Sequence, residues 1–298
     1  MKTRFTLVML ILMPLAGLRA QMPIVIAEDY LQFGNSSMSA LSVTIPEVEY
    51  DVTLKEWIKS LESGTKSKVV TESSGMSIFG ARLKDISVDP INVYSTFDNT
   101  GEVLKLIAAF ELRKDNYIER ATSEADYLKA EAFIKDFAKA RYLDLVKAQL
   151  NDEEKKLHEI ERQLSSLDKN NSKMQRRIES GRNTIQSEND RLISLNNELA
   201  SINSEIEQNN LILATSEAGD ARDEKLKYMN DLNKRKKRIM SSIQSAEKKI
   251  AKANDAITGA QKDIPGNERD QVEIREEIAA QDAVVQQFTN KFNTIRNY

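Results

Sequence analysis

An apolar heptad repeat occupies residues 143–213. Counted from Leu143 in alternate steps of three and four, 16 of the 21 positions are apolar, and no position is skipped over ten heptads. A strict seven-residue repeat keeps its apolar stripe aligned only when helices wind around each other in a left-handed supercoil. We therefore predict a long coiled-coil helix in this part of the chain.

A second stripe of the same period runs from Met229 to Ile295. The pattern is interrupted at residues 214–221, where Gly219 favours a turn. Two stripes of similar length around one short turn predict an antiparallel hairpin over residues 141–298. Pro265 and Gly266 predict a kink or break in its second helix, although the phase of the stripe continues beyond them.

The flanking positions of the first stripe indicate how many helices meet. Its e positions carry Lys147, Glu154, Glu161, Asp168, Gln175, Arg182, Asn189, Asn196, Asn203 and Asn210. A four-helix bundle needs a wider apolar face, so this narrow seam predicts a two-helix coiled coil. If the turn is centred on Gly219, Asn171 lies opposite Asn267, and a buried asparagine pair of this kind would fix the register.

Residues 21–140 predict a small α+β head domain. Alternating patterns rich in β-branched residues indicate strands at 23–33, 38–48, 68–72, 77–83, 91–97 and 103–112. Asp51 is expected to cap a short helix in which Leu54, Trp57, Ile58 and Leu61 share one face. Strands interrupted by one helix favour an antiparallel sheet with that helix packed on one face.

A second helix is predicted to begin near Thr122 or Ser123, either of which can cap it. Its apolar positions, expected to pack on the sheet, are Ala125, Leu128, Ala132, Phe133 and Phe137. Trp57, Tyr94 and Tyr30 are more simply explained as core residues than as ligand-stacking residues.

The first twenty residues have the pattern of a signal peptide. Lys2 and Arg4 precede an apolar run over residues 5–15, and small residues follow, so we expect cleavage between Ala20 and Gln21. The run is shorter than the roughly 20 residues that span a bilayer, which disfavours the alternative of an uncleaved anchor. No later segment is apolar enough to cross a membrane, and a periplasmic or extracellular location is expected.

The composition argues against several chemical functions. The chain has no cysteine and one histidine, His158, beside an apolar heptad position, so thiol catalysis and zinc binding are not expected. We predict no catalytic, cofactor-binding or metal-binding residue and no cofactor. A net charge of -3 gives no sign of nucleic-acid binding.

The strongest charge run is Lys234-Arg235-Lys236-Lys237-Arg238. It could contact anionic lipid or lipopolysaccharide. The alternative, which we favour, is a solvated face that is locally neutralised by Glu198, Glu205 and Glu207 on the opposite helix.

The mature chain resembles a group of uncharacterised exported proteins of Bacteroidetes-type bacteria. The resemblance rests on Ala20-Gln21, the Leu54-Lys55-Glu56-Trp57 helix, the strand pair around 91–112 and the heptads that follow. It implies a small α/β domain followed by a C-terminal coiled coil, and it implies no activity for any residue.

Three functions are compatible with these patterns. The leading one is an exported structural or interaction protein, whose coiled coil is a spacer or docking element for a protein partner or an envelope component. The second is a regulator or adaptor of an envelope enzyme or transporter. The third is an enzyme housed in the head domain. A homo-oligomer is left open by all three.

Overall fold

The computed structural model describes residues 23–101 and 103–298. The signal peptide predicted at 1–20 lies outside the described residues. The structure divides into two compact units. The head unit contains the described residues up to Lys156 together with Gln281–Tyr298, and the hairpin unit contains Leu157–Ala280. The first and last turns of the predicted hairpin are thus grouped with the head rather than separated from it at residue 140.

The head unit is built on an antiparallel sheet, which confirms the predicted α+β class. Its strands are β1 (Ile26–Phe33), β2 (Ser36–Ile45), β3 (Val70–Glu72), β4 (Gly75–Ala81), β5 (Ile91–Asp98), β6 (Leu104–Arg113) and β7 (Asn116–Tyr117). The strand order is β1-β2-β6-β5-β4-β3, and β7 pairs with β6. The sequence did not predict β7, because two residues are too few to show an alternating pattern.

Helix α1 (Tyr50–Glu62) packs one face of this sheet through Trp57 and Leu61. Trp57 is fully buried, and its Nε1 donates a hydrogen bond of 2.9 Å to Ser95 Oγ on β5. The core assignment of Trp57 is therefore confirmed. Tyr30, in contrast, is 69% exposed, so its predicted core position is wrong. Asp51 lies in the first turn of α1, and the residue at the cap is Glu49.

Helix α2 (Glu124–Thr215) begins where the sequence predicted. Ser123 Oγ accepts a hydrogen bond from the Asp126 backbone N–H and donates one to the Asp126 carboxylate, so Ser123 is the capping residue.

The face of α2 that packs on the sheet differs from the predicted one. The buried residues are Tyr127, Ala130, Ile134, Phe137 and Ala138. Of the predicted stripe, only Phe137 is fully part of this core and Phe133 is partly buried. Leu128 is 52% exposed, and Ala125 and Ala132 are exposed as well. The stripe of Ala125, Leu128 and Ala132 on α2 is therefore exposed to solvent.

Helix α3 (Asp220–Arg296) returns antiparallel to α2, so the predicted hairpin is confirmed. The turn lies between Thr215 and Asp220. Gly219 has φ 158° and its carbonyl accepts the first backbone hydrogen bonds of α3, from Arg222 and Asp223. Gly219 thus ends the turn instead of lying at its centre.

This shift of the turn changes the register. Lys225 Nζ donates to Asn209 Oδ1 at 3.2 Å, and Gln281 Nε2 donates to Glu153 Oε2 at 2.8 Å. The numbers of each pair add to 434, whereas centring on Gly219 requires 438. Asn171 and Asn267 each accept a hydrogen bond from a glutamine four residues along their own helix. The predicted Asn171–Asn267 pairing is therefore wrong by about half a heptad.

Helix α3 also continues through Pro265 and Gly266, where the sequence predicted a break or kink. Proline removes one backbone donor from a helix of 77 residues. Both neighbouring segments carry the same apolar stripe, so packing against α2 holds the helix together on each side of the defect.

The two helices of the hairpin unit are in close contact at Gly181. A Cβ at this position would lie 2.7 Å from Ile257 Cγ1 and 3.4 Å from the Ala253 carbonyl oxygen. One heptad further on, Glu188 is 8% exposed and accepts a hydrogen bond of 2.5 Å from Lys249 Nζ. That hydrogen bond holds the pKa of the Glu188 carboxyl below its ordinary value, so a charge is kept at this seam position at neutral pH.

Within the head unit, an ion pair joins the last turns of α3 to Glu47, which precedes α1. Lys291 Nζ lies 2.8 Å and 2.7 Å from the two carboxylate oxygens of Glu47, and the buried Tyr142 hydroxyl donates to the same carboxylate at 3.1 Å. Glu47 has a positive φ of 61°, an uncommon conformation for a side chain of this size. Burial, and then the neighbouring Glu47 carboxylate, raise the pKa of Tyr142.

Candidate interaction surfaces

The head unit carries a concave surface, which we call the head groove. It has a volume of about 990 Å³. Three segments line it: the second half of α1, the loop at residues 82–85, and the first turns of α2 over 128–141. The exposed stripe of α2 forms its apolar part, through Leu128, Ala132 and Phe133.

The rim of the head groove is predominantly basic. Five cations line it (Lys59, Arg82, Lys84, Lys129 and Arg141), against three carboxylates (Glu56, Asp85 and Asp136). Glu56 is engaged with Lys59 at 3.3 Å and with Arg141 at 3.4 Å. Arg82 and Lys84 are exposed, and neither has an ion-pair partner within residues 23–101 and 103–298. Asp85 and Asp136 likewise form no ion pair among the described residues, so the groove presents five positive and three negative side chains beside an apolar surface.

Arg141 lines the groove at the C-terminal end of its α2 segment. Its side chain is 20% exposed and lies against Phe137, with the guanidinium carbon 5.8 Å from the ring centroid. Its Nη2 is 3.1 Å from Asp144. Its Nε is buried and has no hydrogen-bond partner. Unpaired buried donors are rare in folded proteins, and this one belongs to a cation in the wall of a groove.

The sheet face opposite α1 and α2 holds a second cluster. Glu111 is 6% exposed and accepts hydrogen bonds from Asn92 Nδ2 at 2.8 Å and from the Tyr94 hydroxyl at 3.4 Å. Tyr94 packs edge-on against Phe33 and Phe79. Burial, followed by the Glu111 carboxylate, raises the pKa of Tyr94 to about 12. The cluster has an internal partner for each polar group, which fits a structural role for it.

The raised pKa of Tyr94 gives a pH-dependent prediction. Because the folded-state pKa of about 12 lies above the ordinary value of 10.0, the neutral phenol stabilises the fold below pH 10. That stability falls as the pH rises from 10.0 to about 12. The phenolate absorbance of the native protein minus that of Tyr94→Phe should titrate with a midpoint near 12. In denaturant the same difference should move to 10.0, and a native midpoint of 10.0 would contradict the arrangement.

The basic run at 234–238 is partly neutralised, as the sequence suggested. Arg235 hydrogen-bonds Glu198 on α2, and Lys234 lies 3.1 Å from Asp231 on its own helix. Glu205, also expected opposite the run, instead accepts a hydrogen bond of 2.9 Å from the Tyr228 hydroxyl. Lys236, Lys237 and Arg238 form no ion pair among the described residues.

The hairpin tip, defined as residues 211–226, is a further exposed surface. Leu211, Ile212 and Leu226 are 67%, 44% and 45% exposed. Its four carboxylates, which are all exposed, belong to Glu217, Asp220, Asp223 and Glu224. Leu211 and Ile212 lie outside the seam positions of the heptad, and this is the sequence signal that could have identified the surface.

No candidate metal site is found among the described residues. Within 23–101 and 103–298, no three His, Asp or Glu side chains are grouped so that they could hold a metal ion. The side chain of His158 is 71% exposed and its Nδ1 lies 3.0 Å from Glu161, as expected for a solvated helix residue. No described helix is long and apolar enough to span a bilayer.

Comparison with protein-family models and with curated proteins finds no match to this chain. The features of the molecule that indicate a function are its two exposed surfaces, the head groove and the hairpin tip.

Proposed function

We propose that the protein is an exported structural or interaction protein of the cell envelope. Its hairpin acts as a spacer or docking element, and its head binds a protein partner or an envelope component. The observation that carries this proposal is the head groove: an apolar stripe of α2, rimmed by five cations and three carboxylates, lies open beside the packed core of the head unit. Apolar surface of this kind on a soluble domain is typical of an interaction site.

The hairpin supports the same proposal. Gly181 and Glu188 occupy seam positions, where larger apolar residues would bury more surface. The seam therefore gives up some stability, and its close contacts favour one defined packing of the two helices. A two-helix hairpin that closes its own seam leaves its outer faces and its tip for other contacts.

Photo-cross-linking in intact cells of the source organism tests this function. A photoreactive residue is placed at Leu128 in the head groove or at Leu211 in the hairpin tip, and Lys173, an exposed residue of α2, serves as the control. We expect a discrete adduct with an envelope component from Leu128 or Leu211 and none from Lys173. Failure of both positions to give an adduct with any molecule other than a second copy of this protein would contradict the proposal.

Export is tested on the same cells. The protein recovered from the periplasmic or extracellular fraction should begin at Gln21, as the expected signal cleavage requires. Recovery of the full-length chain in the cytoplasm would contradict an envelope function.

A further inference from the structure

We propose that the hairpin tip of one copy of this protein docks into the head groove of a second copy. The inference goes beyond the proposed function, because it concerns purified protein alone and needs neither export nor an envelope partner. It is carried by the complementary chemistry of two surfaces on the same chain.

The tip offers apolar side chains at a turn. Leu211 and Ile212 lie in the last turns of α2, and Leu226 lies in the second turn of α3. All three are at least 44% exposed, although the adjacent seam residues Leu213 and Met229 are each only 8% exposed. Leucine and isoleucine side chains lose water favourably on contact, at roughly 25 cal/mol for each Å² buried.

The outward charge of the tip is acidic. Arg222 is turned inward, where its guanidinium donates to the carbonyls of Leu213 at 3.1 Å and Ser216 at 2.6 Å. Lys225 is turned toward Asn209. Both cations are half-buried, so their hydrogen bonds satisfy the end of α2 and leave the four exposed carboxylates as the charge that a partner meets.

The head groove has the opposite character. Leu128, Ala132 and Phe133 supply its apolar surface, and Arg82 and Lys84 supply exposed cations without partners among the described residues. The groove thus pairs an apolar strip with net positive charge, and the tip pairs an apolar strip with net negative charge. Complementarity of this kind steers association and fixes its orientation.

The width of the hairpin tip matches the length of the head groove. The α2 segment 128–141 that lines the groove covers about 20 Å at roughly 1.5 Å per residue. Two packed helices, each about 10 Å across, present an end of about the same width.

A tip-to-groove contact is heterologous, since each copy contributes a different surface to each end. Such contacts extend to rings or chains unless one surface is blocked. The average mass in solution should therefore rise with concentration above the 33.8 kDa of the single chain, and the rise should weaken with salt, which screens the charges.

Sedimentation of the full chain, with and without blocked surfaces, tests the proposal. The groove variant carries Arg82→Glu and Lys84→Glu, and the tip variant carries Leu211→Gln, Ile212→Gln and Leu226→Gln. All five residues are exposed. We expect each variant alone to associate at least about tenfold more weakly than the wild type. A control with the same charge change, Lys237→Glu with Arg238→Glu, should associate as the wild type does.

Mixing the two variants is the decisive experiment. The groove variant retains an intact tip and the tip variant an intact groove, so an equimolar mixture should form a one-to-one dimer and stop there. A wild type that stays monomeric at every concentration, variants that associate normally, or a mixture that stays monomeric would each overturn the proposal. Circular dichroism checks that each variant folds. If the groove variant does not fold, Leu128→Glu is used in its place.

Discussion

Trp57→Ala is expected to lower the free energy of unfolding of the head unit by about 3–5 kcal/mol, the usual cost of truncating a large buried aromatic residue. Trp57 is fully buried, and its ring lies 4.9 Å from Phe137 and 5.9 Å from Phe133 between centroids. It therefore joins α1 to α2 over the sheet. Alanine would leave a cavity between both helices and would remove the donor that Ser95 Oγ accepts.

Hydrogen exchange of the backbone amides in β5 and β6 measures this loss, because these strands are central in the sheet and exchange through opening of the whole unit. Trp57→Phe keeps an aromatic ring and should cost clearly less than Trp57→Ala. Tyr30→Ala, at a residue that is 69% exposed, should stay within about 0.5 kcal/mol of the wild type. A Trp57→Ala effect as small as that of Tyr30→Ala would contradict the packing described.

The hairpin could be predicted because its signal is local. A seven-residue apolar repeat requires a helical stripe whatever surrounds it, and one interruption between two such stripes requires a turn. The register could not be read in the same way. It depends on which residue of the turn starts α3, and Gly219 serves as the residue before that helix instead of as the centre of the turn.

The strands and α1 were also predictable, since alternation and helical spacing at Trp57 and Leu61 reflect burial directly. The packing face of α2 was not. Two apolar stripes share its first turns, and only the positions of the sheet and of α1 decide that Ala130 and Ile134 are covered while Leu128 and Ala132 are open. Periodicity marks a face as apolar, and it does not say which neighbour covers that face.

The head groove was beyond sequence reasoning for the same physical reason. Arg82 and Lys84 come from a loop, Lys59 from α1 and Leu128 from α2, and nothing in the local pattern brings these segments together. Trp57, which sequence reasoning considered as a candidate binding residue, lies in the core beneath that groove, where it packs against Phe133 and Phe137 of the groove wall.

Gly181→Ala is expected to lower the melting temperature of the hairpin, whereas Gly259→Ala is expected to raise it. Alanine is favoured over glycine inside a helix by about 0.8–1.0 kcal/mol, and this gain applies at both positions. At Gly259 a Cβ would meet nothing within 4 Å, so the gain is realised. At Gly181 the Cβ would lie 2.7 Å from Ile257 Cγ1, and overpacking costs about 1–3 kcal/mol. Thermal unfolding followed by the helical circular dichroism signal measures both changes.

A double-mutant cycle separates the clash from the helix propensity. Ile257→Ala removes the atom that a Cβ at residue 181 would meet, and by itself it should destabilise the hairpin by about 2–5 kcal/mol. When Gly181→Ala is then added, the clash is absent and only the propensity remains, so the second substitution should now stabilise, as Gly259→Ala does. The two substitutions are therefore expected to be strongly non-additive. If Gly181→Ala has the same effect with and without Ile257, the Ile257 side chain does not pack over residue 181, and the helices of the hairpin unit are not packed as described.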